Sequence, residues 1–190
     1  MTDFDEFLET LKRVAAVLRE ADVPFLLGGG LAVWARGGPE TAHDLDFMVR
    51  PEDADRAVEA LQRAGLRTAS PPEDWLYKAW DGDTLVDVIF RPSGGEVDDA
   101  MFDRAEVLDV QAVRMDVMSL EDVLVTKLLS MREHEVDYDG VLEIARALRE
   151  QVDWEAVRER TCDSPYARAF FYLAGELDVI PVQDATEVSR

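Results

Sequence analysis

Apolar residues recur at helical spacing from the start of the chain. Phe4, Phe7, Leu8, Leu11, Val14, Ala15 and Leu18 fall on one face and predict a helix over residues 4–20. "VPFLLG" then reads as a short buried strand that stops at glycine, and "GLAVWARG" as a short helix between glycines. "HDLDFMVR" reads as a strand. "PEDADRAVEALQRAG" has Pro51 near its start, acids in its first turn and Gly65 at its end, which is the punctuation of a helix.

Further on, "DWLYKAW" and "TLVDVIF" flank "DGD", and Asp-Gly between apolar alternations predicts a hairpin. "PSGGEVDDA" reads as a loop and "AVRMDVM" as another strand. Ser119, with Asp122 three residues on, forms a capping box for the helix "LEDVLVTKLLSMRE". Helices follow over roughly 137–149 and 153–161, and a last one is opened by Ser164 as cap and Pro165 at its first position. Strands dominate residues 23–117 and helices follow. The expected fold class is therefore α/β (α+β): a core over residues 1–118, and a helical C-terminal region over 119–190 packed on it.

Composition narrows the setting. The 190 residues suit one domain with a small helical appendage, and 47% hydrophobic residues argue against disorder. With Cys162 the only cysteine, no intramolecular disulfide can form, and a reducing cytoplasm is the expected location. The acidic, amphipathic N-terminus is not patterned as a signal peptide, and no apolar run is long enough to span a bilayer. The net charge of −21 repels nucleic-acid backbone and anionic membranes and attracts cationic partners; solubility or a salty cytoplasm explains it equally well.

The chemistry concentrates in a few positions. In a strand, Asp44, Asp46 and Met48 share one face, while Leu45, Phe47 and Val49 share the other. Two carboxylates on one face repel unless water or a cation lies between them. On that pair alone, a wet edge strand and a cation site are equally good readings. "LVDVIF" then sets Asp87 in an apolar run, where a lone carboxylate is expensive. If this strand lies beside the first, three carboxylates converge. A hard divalent cation, Mg²⁺ or Mn²⁺, is the usual remedy, and such sites serve phosphoryl or nucleotidyl transfer.

"GGG" at a strand end lets backbone N–H groups approach a phosphate, although tight packing explains glycine clusters as often. The spacing is neither that of a dinucleotide fingerprint nor that of a Walker loop. Lys127 falls on the stripe of Leu120, Val123, Leu124, Leu128 and Met131; it either snorkels or faces an anion. Asp137 and Asp139 either pair with Lys127 or Arg132 or cap the next helix. His43, beside a strand start, reads as incidental, His134 as solvated and Cys162 as structural. Trp34, Trp75, Trp80 and Trp154 read mainly as core, with Trp75, Tyr77 or Trp80 available to line a pocket beside Asp87.

Gly29-Gly30, Asp44-Leu45-Asp46 and the later Asp87 together resemble the nucleotidyltransferase superfamily that includes DNA polymerase beta. The likeness is to its minimal, antibiotic-modifying and toxin-type bacterial members, in which a "GG-x-A" turn is followed by "D-[IL]-D-[FL]". "SLEDVLVTKLLSMREHEVDYDG" resembles the later lysine motif, and the likeness covers about residues 23–150. Two departures are visible: "PETAH" places Glu40 and Thr41 where a basic residue and threonine are frequent, and Gly-Gly replaces Gly-Ser.

The resemblance implies a nucleotidyltransferase-type mixed sheet flanked by helices. It implies that Gly29 and Gly30 cradle the triphosphate of an NTP co-substrate, and that Asp44, Asp46 and Asp87 bind Mg²⁺ or Mn²⁺. Asp87 would also help to activate an acceptor hydroxyl, Lys127 would steady the triphosphate or the leaving group, and Asp137 is a further carry-over. The expected activity is transfer of an NMP from an NTP to a hydroxyl of a small acceptor, with release of pyrophosphate. The net charge favours a cationic acceptor. A toxin-type enzyme acting on tRNA is the alternative, disfavoured by the lack of a Lys/Arg-rich stretch. A non-catalytic binding or antitoxin-like module is the third reading, and three converging acids argue against it.

Overall fold

The apolar stripe at the amino terminus forms helix α1 (Asp3–Glu20), with Phe7, Leu8, Leu11, Val14, Ala15 and Leu18 all buried. The computed structural model describes residues 3–40 and 44–180. After α1 come strand β1 (Leu26–Leu27), helix α2 (Gly29–Trp34), strand β2 (Asp44–Met48) and helix α3 (Pro51–Arg63). β1 is shorter than "VPFLLG" suggests. Val23 and Phe25 are buried, but Pro24 has no N–H to give a ladder.

Strands β3 (Arg67–Ala69), β4 (Leu76–Asp81) and β5 (Thr84–Ile89) follow, and the β4–β5 hairpin turns at Gly82 with φ +60°. The stretch read as a loop runs into a short helix α4 (Asp99–Asp103), whose first turn is capped by the Asp98 carboxylate accepting from the Met101 N–H at 2.9 Å. Strands β6 (Glu106–Val110) and β7 (Val113–Val117) form a second hairpin. Its two turn residues, Gln111 and Ala112, have φ of 50° and 63°. Helices α5 (Leu120–Ser130), α6 (Tyr138–Leu148), α7 (Trp154–Arg160) and α8 (Pro165–Glu176) follow.

The seven strands make one mixed sheet in the order β3-β4-β5-β2-β1-β7-β6. β2 runs parallel to β5 and antiparallel to β1, and β1 runs parallel to β7. One face is apolar where α1 and α3 cover it: Leu45, Phe47, Ala79, Val86 and Val88 are fully buried. Tyr77 on that face donates to Asp55 of α3 at 2.7 Å, and Thr10 and Arg13 of α1 reach Asp81. α2 and α5 lie toward the opposite face of β2. Among the described residues no helix is long and apolar enough to cross a membrane.

Asp122 fixes where α5 starts. Its N–H donates to the Ser119 hydroxyl at 3.1 Å, as the capping box predicts. Its carboxylate is wholly buried and accepts from Arg104, just past α4, at 2.9 and 3.0 Å and from Arg160 of α7. Burial pushes this carboxyl up, but the two guanidinium groups outweigh it and hold it below its ordinary value. Arg160→Ala should therefore destabilise the protein by about 1.5–3 kcal/mol, the range for a hydrogen bond to a charged group. Denaturant melts should show that loss at neutral pH. It should shrink in acid, where Asp122 protonates and loses its need for the second arginine.

Candidate active site

Strand register brings the acids together. β2 and β5 pair in parallel with Asp46 directly opposite Asp87, and β4 sets Lys78 opposite Asp87 from the other side. Asp44 and Asp46 share a face by alternation, and the apolar burial of Leu45 and Phe47 on the reverse face fixes which way they point. One carboxylate oxygen from each of Asp44, Asp46 and Asp87 lies within 4.8 Å of the others. Asp44 and Asp46 are partly buried, and Asp87 is only 7% exposed.

The glycine turn closes over this cluster. The Gly28 N–H donates to the Asp46 carbonyl at 2.8 Å. Gly29 has φ +53°, and a Cβ built there would overlap the Asp46 carboxylate at Oδ2. Glycine at 29 is thus required twice, by the backbone conformation and by the carboxylate against which it lies. Gly30 continues into the first turn of α2.

Two lysines balance the acids. Lys127 of α5 is partly buried on a helix whose stripe residues Leu120, Val123, Leu124, Leu128 and Met131 are all buried, and its charge acts on Asp46. Its ammonium makes no ion pair or hydrogen bond among the described residues. Lys78 was not anticipated from sequence. Its Nζ donates to Asp87 Oδ1 at 3.0 Å and Oδ2 at 3.2 Å. A signal was available: of the 20 Lys and Arg residues only Lys12, Lys78 and Lys127 are lysines, and one of these sits inside the apolar alternation of a strand.

The cluster is under electrostatic load. Burial pushes the Asp46 carboxyl up to about 7, and the charges of Asp44 and then Asp87 add to it, while Lys127 and Lys78 pull the other way. Asp87 is also raised by burial, against the opposing pull of Lys78. Crowded carboxylates of this kind favour a cation among them, and the all-oxygen donor set suits a hard divalent ion.

Other anticipated residues lie elsewhere. Asp137 caps α6, its carboxylate accepting from the Gly140 N–H at 3.0 Å, so the capping alternative is the one realised. Tyr77 is turned away from Asp87 toward α3, because it is one residue out of phase with Lys78. Trp80 is in phase with Lys78, and its ring carries the Arg67 guanidinium. Trp75 is 39% exposed rather than core, and Trp154 is buried. His134 is solvated as expected, whereas Cys162, read as structural, is exposed. His43 lies outside the described residues.

The family model described as an uncharacterised nucleotidyltransferase matches residues 5–177. The fold is similar to the solution structure of the antibiotic-resistance factor ANT(2'')-Ia, with TM-score 0.64 and 18% identity over 93% of this chain and 97% of that one. The crystal structure of ANT(2'')-Ia in complex with adenylyl-2''-tobramycin gives TM-score 0.63 and 16% identity, covering 85% and 96% of the two chains. The lincosamide antibiotic adenylyltransferase LnuA, lincomycin-bound, gives 0.53 and 13%, covering 80% and 97%. No curated protein matches the chain in sequence.

Proposed function

The chain belongs to the nucleotidyltransferase family, and from that premise we propose that it moves an NMP from an NTP to a hydroxyl of a small, cationic acceptor, with Mg²⁺ or Mn²⁺ and release of pyrophosphate. The observation that carries this reading is the convergence of Asp44, Asp46 and Asp87 beneath the Gly28–Gly30 turn, with two lysines at the edge of the cluster. A divalent cation held by the three carboxylates would neutralise the phosphates and polarise the phosphorus under attack.

The residues of the chain then divide the remaining work. Gly29 and Gly30 offer backbone N–H groups to the triphosphate without a Cβ in the way. Asp87, the most buried acid of the three, faces the acceptor hydroxyl as its base. Lys127, unpaired among the described residues, is free to meet the triphosphate or the departing pyrophosphate. A cationic acceptor suits both the net charge of −21 and the acidic cluster. The similar folds solved with adenylyl-2''-tobramycin and with lincomycin add support for a small acceptor. A cytoplasmic location fits the NTP requirement.

The test is incubation with each NTP labelled at the α-phosphorus, Mg²⁺, and either an amine-sugar panel or total tRNA. Label on an amine-bearing sugar is the expected result. Label on tRNA would replace the small acceptor with the toxin-type alternative, and no transfer with any nucleotide would favour the non-catalytic one.

A further inference from the structure

Lys78 supplies the charge that Asp87 needs. A carboxylate only 7% exposed needs a cation or a proton. The Lys78 ammonium spans both of its oxygens, at 3.0 and 3.2 Å, from the directly opposite position on β4. These are the oxygens through which Asp87 would join Asp44 and Asp46 around one cation. An ammonium and a divalent ion on the same carboxylate repel at contact distance, in a partly desolvated site where that repulsion is poorly screened.

Lys78 has the means to yield. Its side chain is 31% exposed, it sits on a flexible four-carbon stem, and Asp87 is its single ion-pair partner among the described residues. Lys127 differs, since no carboxylate holds its ammonium. We infer that Lys78 is a positioning residue: an internal counter-ion that occupies Asp87 in the metal-free protein and is displaced toward solvent when the divalent cation enters. The inference deepens the proposed function and rests on its metal-dependent reading. It makes metal entry an exchange of one cation for another at the Asp87 carboxylate.

The scarcity of lysine supplies a direct readout. Reductive methylation followed by peptide mapping reports Lys12, Lys78 and Lys127 separately, with Lys12 as a surface reference. With Mn²⁺ alone as the probe, and its binding followed by electron paramagnetic resonance, Lys78 should be protected in the metal-free protein. It should become several-fold more reactive as Mn²⁺ saturates, while Lys12 does not change. Lys78→Met should bind Mn²⁺ tighter by about tenfold or more, and Lys78→Arg, which keeps a cation on Asp87, should stay near wild type.

If Lys78 reactivity is unmoved at Mn²⁺ saturation, or if Lys78→Met binds Mn²⁺ no tighter, the exchange is wrong while the metal reading stands. If the wild type binds no Mn²⁺ with or without NTP, the metal reading falls and the exchange falls with it. Should Lys78→Met not fold, the methylation of wild type decides alone.

Discussion

Asp46→Asn should abolish nucleotidyl transfer and, in the metal-free protein at pH 8, raise stability. The two effects share one cause. Asp46 is pushed up to about 7 by burial and by the charges of Asp44 and Asp87. Ionising it in the folded state therefore costs more than ionising it in the unfolded chain. A carboxyl whose folded value lies above its unfolded one stabilises the fold at low pH, and that contribution is lost as pH rises from the ordinary value of 3.8 through about 7.

The metal-free wild type should accordingly lose stability across that window, and the asparagine variant should not. At about 1.36 kcal/mol per pKa unit the difference has a ceiling of about 4 kcal/mol above pH 7. Asp122, whose carboxyl is lowered, works in the opposite direction, but its contribution disappears only in more acidic solution, so the two windows separate. Activity should fall by more than the roughly 10–100-fold typical of residues one layer behind the ligands, because a charged ligand is itself removed. Mg²⁺ with NTP should raise the melting temperature of wild type by mass action and that of the variant much less. If Asp46→Asn unfolds the protein instead, the aspartates are structural.

The sequence made the acids legible because their placement breaks a rule. Asp44, Asp46 and Asp87 interrupt apolar strands, and alternation alone assigns the first two to one face. What alternation cannot supply is which strands are neighbours; the parallel pairing of β2 with β5 sets Asp46 opposite Asp87. Lys78 was hidden for the same reason, since its partner is fixed by β4–β5 register and not by any local pattern. The two overlooked strands, β3 and β6, are at the sheet edges, where most side chains are exposed and the apolar alternation fades. The β6–β7 turn uses Gln111 and Ala112 at positive φ in place of Asn-Gly or Asp-Gly, so it carries no hairpin signature. The helices were the most readable elements, because caps such as Ser119, Asp137 and Ser164 act within one turn and need no distant partner.

Gly29→Ala should be the most damaging single methyl group that can be added to the chain near the cluster. Two separate costs arise at this position. The backbone has φ +53°, where an alanine is disfavoured by about 1–2 kcal/mol. The new Cβ would also overlap Asp46 Oδ2, so the carboxylate must turn away or the start of α2 must shift. Either movement breaks the alignment of Asp46 with Asp44 and Asp87. Gly82→Ala separates the two costs. Gly82 has φ +60°, but beyond its own chain neighbours nothing lies within 4 Å of the place a Cβ would take, so alanine there meets the backbone penalty alone. Both variants should melt below wild type. Only Gly29→Ala should also lose Mn²⁺ binding and transfer activity, because only there does the added methyl group reach a carboxylate. If Gly29→Ala binds Mn²⁺ like wild type while melting no lower than Gly82→Ala, the glycine turn does not support Asp46, and its part in the site must be given up.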